Sequence, residues 1–147
     1  MQLENLFPPI RIALLFLLAI STGCAYNAPT RSKIELVRVT DGDTIKARTG
    51  GNIENIRLLN IDCYETRRNK RAHLQAKKYN KSLEEVTAAG KRSKEILAEL
   101  LKDKPLYLTR EGKDRYNRTL GYVFIGNVEV NKYMLEKGGC EIYELLK

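Results

Sequence analysis

The stretch from Ser82 to about Lys102 has helical periodicity and lies between β-type runs on both sides. That order restricts the fold more than any other feature of the chain. Ser82 with Glu85 three residues later is a capping-box signature, and Val86, Ala89, Ile96, Leu97, Leu100 and Leu101 recur at helical spacing. Three runs precede the helix. Lys33 to Val39 and Thr44 to Ala47 are joined through the turn residues Asp41-Gly42, and Ile53 to Ile61 follows the turn Gly50-Gly51-Asn52. Two runs come after it, Pro105 to Thr109 and Thr119 to Ile125, and Gly126-Asn127 turns the second into Val128 to Val130. Asn131 is expected to cap a short last helix, Lys132 to Lys137, stopped by Gly138-Gly139, with Cys140 to Tyr143 extended. Arg67 to Lys81 reads as a basic, irregular segment with seven Lys or Arg and no acid. Three strands, a helix and two more strands around a small core predict an α+β fold. Its architecture is a five-stranded OB-fold-like barrel, with the main helix between strands 3 and 4 and a short helix near the C-terminus.

The N-terminus reads as an address. Ile12 to Ile20 is an apolar run preceded by Arg11, too short to span a bilayer and of signal-peptide length. Ser21-Thr22-Gly23-Cys24 follows; a small residue before a Cys at this point resembles a bacterial lipobox, although Ser21 stands where Leu is usual. We expect residues 1–23 to be a lipoprotein-type signal peptide, Cys24 to be lipidated, 24–33 to be a polar tether and 34–147 to be the folded domain. Ordinary secretion with cleavage near Ala25, or an uncleaved anchor, are the alternatives. All three imply export, to an envelope membrane or beyond it. Residues 1–23 hold one acid, Glu4, and one base, Arg11, so their removal leaves the net charge of +8 unchanged.

That charge calls for an anionic partner: nucleic acid, an anionic membrane or an acidic polymer. A single His and three Cys exclude a His-rich or all-cysteine zinc site and a disulfide-dense mini-fold, and 30% charged residues exclude a multi-span membrane protein. With Cys24 lipidated, Cys63 and Cys140 remain in an oxidising compartment, either bridged or as two small buried thiols.

Three stretches concentrate acids and arginines: Asp41-Gly42-Asp43-Thr44, Arg57 to Thr66, and Asp114 to Tyr122. Taken singly they read as a hairpin turn, a surface ion pair and a solvated loop. Taken together, in this order, the chain resembles the staphylococcal-nuclease (thermonuclease) family. The shared pattern is a DGDT turn, R-L-L-x-x-D-x-x-E-T, D-x-Y-x-R-x-L-x-Y and V-N-x-x-x-x-x-x-G, and the similarity covers Ile34 to Tyr143. The resemblance implies an OB-fold and Ca²⁺-dependent hydrolysis of DNA and RNA at the bond to the 5′ oxygen, leaving 3′-phosphate ends. It implies that Asp43, Asp62 and the main-chain carbonyl of Cys63 hold the ion, with Asp41 behind them. It assigns Glu65 to the attacking water, Arg57 and Arg118 to the phosphate, and Tyr116 to the nucleotide. The expected state is a monomer.

The chemistry supports these residue types. Phosphodiester hydrolysis adds charge to an anionic centre, which a hard cation on carboxylate and carbonyl oxygens neutralises. Two guanidinium forks match the phosphoryl oxygens and stay charged. A carboxylate beside water serves as general base. Tyr64 stands where the family often has Pro, and Asn117 where a Gly is common; Asn tolerates left-handed backbone. A non-catalytic OB-fold lipoprotein that binds nucleic acid is the alternative, and a lipoprotein that binds acidic envelope polymers a third. Neither has a use for carboxylates that repel phosphate.

Overall fold

The computed structural model describes residues 30–143. Cys24, the expected signal peptide and most of the expected tether lie outside the described residues. β1 (Ser32–Asp41) and β2 (Thr44–Thr49) form a hairpin, and β3 (Asn52–Leu58) returns along β2. β5 (Leu106–Lys113) and β6 (Thr119–Ile125) form a second hairpin. β1 pairs with β5 through Ser32, Lys33 and Ile34, and β3 runs parallel to β6 with Ile56, Arg57 and Leu58 opposite Thr119, Leu120 and Gly121. The order β1-β2-β3-β6-β5 thus closes on itself, the five-stranded OB-type barrel that the order of elements predicts. β1 starts at Ser32, so the last two residues of the expected tether belong to the barrel.

The helix α2 (Leu83–Leu101) carries the expected capping box: Glu85 N donates to Ser82 Oγ, and Ser82 N to the Glu85 carboxylate. Its buried face runs Val86, Gly90, Ser93, Leu97 and Leu101, a 3.6-residue stripe with small residues in the middle. Leu97 and Leu101 close one end of the core with Ile34, Ile45, Leu106 and Leu108. The small residues lie under the turn and loop that build the site.

Three expectations need correction. The basic segment is not irregular: Lys70–Lys78 form helix α1, whose first turn is capped by the Asn69 side chain accepting from Ala72 N. Its buried face is Ala72 and the amide of Gln75, with Ala76 and Tyr79 beside them, so it lacks the apolar stripe that marks a core helix. The third run does not continue as one strand to Ile61. Asn60 adopts φ of 62°, which breaks the chain after β3 and sets β4 (Ile61–Asp62) off to pair with β8 (Glu141–Ile142). Asn131 does not cap the last helix. The strand β7 (Val128–Glu129) leads into α3 (Val130–Glu136) with Glu129 at the cap position. Asn131 is buried inside α3, where its amide accepts from Val123 N and donates to Leu59 O and Gly121 O. It pins the break after β3 against β6.

Cys63 and Cys140 form a disulfide, with Cα atoms 4.2 Å apart and a separation of 77 positions in sequence. Both are buried, and the bridge ties the chain after β4 to the segment after α3. Replacing both by Ser should lower unfolding free energy by about 2–4 kcal/mol. Urea unfolding of the variant should then match that of the parent chain kept fully reduced; equal stability with and without reductant would contradict a bridging role.

Candidate active site

The β1–β2 turn supplies the first acid. A Cβ on Gly42 would sit 2.7 Å from Ser93 Cβ and 2.9 Å from Cys63 Cβ, so only glycine lets this turn press onto α2 and the disulfide. Asp43 follows it, 7% exposed, with Oδ1 accepting from the Thr44 hydroxyl at 2.9 Å and Oδ2 from Cys63 N at 2.9 Å. Burial pushes its carboxyl above the ordinary carboxylate value, against the pull of Arg57 and of the Cys63 amide.

Arg57 lies near the end of β3, 8% exposed. Its Nη1 is 3.0 Å from Asp43 Oδ2 and donates to Leu58 O at 3.1 Å, while Nη2 is 3.4 Å from Asp62 Oδ1. Arg57 and Asp62 meet across the left-handed break at Asn60.

The loop after β4 carries Cys63 and Glu65. Residues of α1 hold it, and sequence reasoning passed over all three. Gln75 is buried; its Oε1 accepts from Glu65 N at 2.9 Å and its Nε2 donates to Cys63 O at 3.1 Å. Asn69 Nδ2 donates to Glu65 Oε2 at 2.7 Å. Arg71 pairs with Asp62 Oδ1 and, through Nε, with Glu65 Oε1 at 3.1 Å. The available signal was Asn69 ahead of Ala72, Gln75, Ala76 and Tyr79 at helical spacing. Asp41 accepts from the Thr66 hydroxyl at 2.7 Å and so holds the end of the same loop.

Arg118 comes from the β5–β6 turn, which Asp114 organises. Asp114 Oδ1 accepts from the Tyr116 and Arg118 amides, each at 2.9 Å, and Oδ2 from Arg118 Nε at 2.7 Å. Burial opposes its charge, but these bonds outweigh it and hold its pKa below the usual value. Asn117 takes φ of 62°, the left-handed conformation its side chain suits. Arg57, Arg71, Arg118, Tyr116 and Tyr143 line one cavity of about 490 Å³. Tyr116 is 66% exposed, with its ring 5.6 Å from the Arg118 guanidinium carbon. Tyr122, by contrast, holds Asn60 Nδ2 with its hydroxyl, and His73 is a surface residue of α1.

Among the described residues no three Asp, Glu, His or Cys side chains form a ready metal-ligand group. Asp43 and Asp62 are brought together by Arg57, and the Cys63 carbonyl, which accepts from Gln75 Nε2, keeps a second lone pair for another partner. Carboxylate and carbonyl oxygens suit a hard cation and not a soft one.

The chain is similar to known proteins. Residues 55–147 match the family model described as "Staphylococcal nuclease homologue". An "Uncharacterized endonuclease" of Haemophilus influenzae is 30% identical over 135 residues, 91% of this chain and 65% of that protein. An "Uncharacterized endonuclease" of Escherichia coli O157:H7 is 30% identical over 74% of this chain and 60% of its own length. A "Thermonuclease" of Staphylococcus hyicus is 29% identical over 71% of this chain and 55% of its own. The chain thus spans somewhat less than two thirds of these relatives.

Proposed function

Because the chain belongs to the staphylococcal nuclease family, we propose that it is a hydrolase that cleaves phosphodiester bonds of DNA and RNA with the help of Ca²⁺. The observation that carries this reading is the cluster in which Arg57 joins Asp43 to Asp62 and Arg71 joins Asp62 to Glu65, beside a cavity that Arg57 shares with Arg118. Asp43, Asp62 and the Cys63 carbonyl would hold the ion, which when bound supplies charge neutralisation at the phosphoryl group.

The remaining roles fall to the chain. Arg57 and Arg118 present planar forks to the phosphoryl oxygens from the two sides of the cavity. Glu65, held by Asn69 and by the Gln75 clamp on its amide, orients an attacking water and takes its proton. Tyr116 offers an exposed face on which a base can stack. Cleavage falls at the bond to the 5′ oxygen and leaves a 3′-phosphate end.

Export as a lipoprotein anchored at Cys24 belongs to the same proposal. The Cys63–Cys140 disulfide supports export, since such bridges persist in oxidising compartments. No helix among the described residues is long and apolar enough to cross a membrane.

The test is a nuclease assay on DNA and RNA. Activity should need Ca²⁺ and be abolished by EDTA. Glu65→Gln, equal in size, should keep calcium and substrate binding while losing turnover. A protein that binds DNA equally well with EDTA present and never cleaves it would favour a pure binding module instead.

A further inference from the structure

Arg71 stands outside the family pattern, yet it reaches the centre of the acidic cluster. It projects from the first turn of α1, against Asp62 Oδ1 and 3.1 Å from Glu65 Oε1. Arg57 approaches the same Asp62 oxygen at 3.4 Å. The carboxylates of Asp43, Asp62 and Glu65 therefore face the guanidiniums of Arg57 and Arg71.

The two arginines differ in freedom. Arg57 has a side chain only 9% exposed and also donates to the Leu58 carbonyl, so it cannot leave without breaking the floor of the site. Arg71 has a side chain 47% exposed, and its polar partners are the two carboxylates. It lines the cavity that also holds Arg57, Arg118 and Tyr116. Rotation about its own side-chain bonds would carry it into that cavity while α1 stays in place.

A divalent ion on Asp62 would compete for the oxygen that Arg71 holds and would repel the guanidinium. We propose that Arg71 is an exchangeable counter-ion. It neutralises Asp62 and Glu65 in the metal-free protein, gives way to the divalent cation, and then serves as an extra phosphate contact in the cavity. The exchange frees Glu65 Oε1, while Asn69 on Oε2 and Gln75 on the amide keep the carboxylate aimed. The inference rests on the metal-dependent reading above.

The experiment is calorimetric titration of CaCl2 into the mature chain and into Arg71→Gln and Arg71→Ala. Binding of a short phosphorothioate oligonucleotide is then measured with and without calcium. Without nucleic acid, both variants should bind calcium about tenfold more tightly than the parent, the effect of removing one half-solvated like charge. With calcium, both should bind the oligonucleotide several-fold more weakly; without calcium, as well as the parent does. Calcium affinity that is unchanged or weaker in both variants overturns the proposal and leaves the metal reading intact. So does an oligonucleotide deficit of equal size with and without calcium. If neither parent nor variants bind calcium at millimolar concentration, the metal reading itself fails and takes this one with it.

Discussion

Arg57→Ala is expected to lower kcat on the order of 10³-fold, with a much smaller change in KM, and to destabilise the fold by about 3–5 kcal/mol. Both effects come from one buried group. The guanidinium touches Asp43 and Asp62 at once and caps the Leu58 carbonyl. Its removal leaves Asp43, only 7% exposed, without its nearest opposite charge. Two carboxylates then face each other across a hole. The kinetic loss reflects a fork that matches phosphoryl oxygens best as their charge grows. Arg57→Lys should recover part of the stability and little of the turnover, because an ammonium is a point charge without the bidentate fork. Steady-state kinetics and urea unfolding on the same preparations separate the two. A defect confined to KM would mean that the guanidinium binds ground-state substrate only, and the role assigned to it would be wrong.

Gly90→Ala tests how the Glu65 loop is seated. On a solvent-facing helix this change would add about 1 kcal/mol of stability, since Gly is a poor helix former. Here a Cβ would lie 2.4 Å from Glu65 O and 2.5 Å from Tyr64 O. The obstructing atoms are main chain, so they cannot rotate away. The overpacking should reverse the sign, giving a net loss of about 1–3 kcal/mol. Turnover should fall about 10²-fold, because displacing Glu65 by even ~1 Å spoils its aim at water. Tyr64 stands where the family often has Pro, so this loop has less stiffness of its own and relies on α2 beneath and Gln75 above. A Gly90→Ala chain more stable than the parent, with full activity, would show that the helix and the loop do not approach so closely.

The barrel was legible because its signals are local and agree. Alternating strands, paired turn residues and the Ser82–Glu85 box each point to the same order, and the structure keeps it. Where the reading went astray, the deciding interaction was long-range or polar. α1 buries an alanine and a glutamine amide, and hydrophobic periodicity cannot register a helix whose inner face is a hydrogen-bonding group. Asn131 has the composition of a cap, but its partners Leu59 and Gly121 lie 72 and 10 residues away. Gly90 lies against the Glu65 and Tyr64 carbonyls, a long-range contact that the helical pattern does not record. The motif residues fared differently. Asp43, Arg57, Asp62 and Glu65 were marked by the family resemblance that their motifs carry, and the structure joins them through shared ion pairs with Arg57 and Arg71. Their mutual geometry depends on a single left-handed residue, Asn60, which no pattern of charges predicts.

The pairings that close the molecule also fix the order in which it can be completed. β3 ends at Leu58 yet finds its parallel neighbour only at Thr119 to Gly121, β4 waits for Glu141 and Ile142, and Cys63 waits for Cys140. A ribosome makes the carboxylate-bearing half first and these partners last. During synthesis the β1–β3 meander therefore spends most of its time with an unpaired edge and with the Asp62–Glu65 loop untethered. Such distant contacts must overcome chain-closure entropy before they return any stability, which makes folding slow and late. A nascent or truncated chain lacking residues beyond α2 would hold Asp43, Asp62 and Glu65 and still have no assembled site.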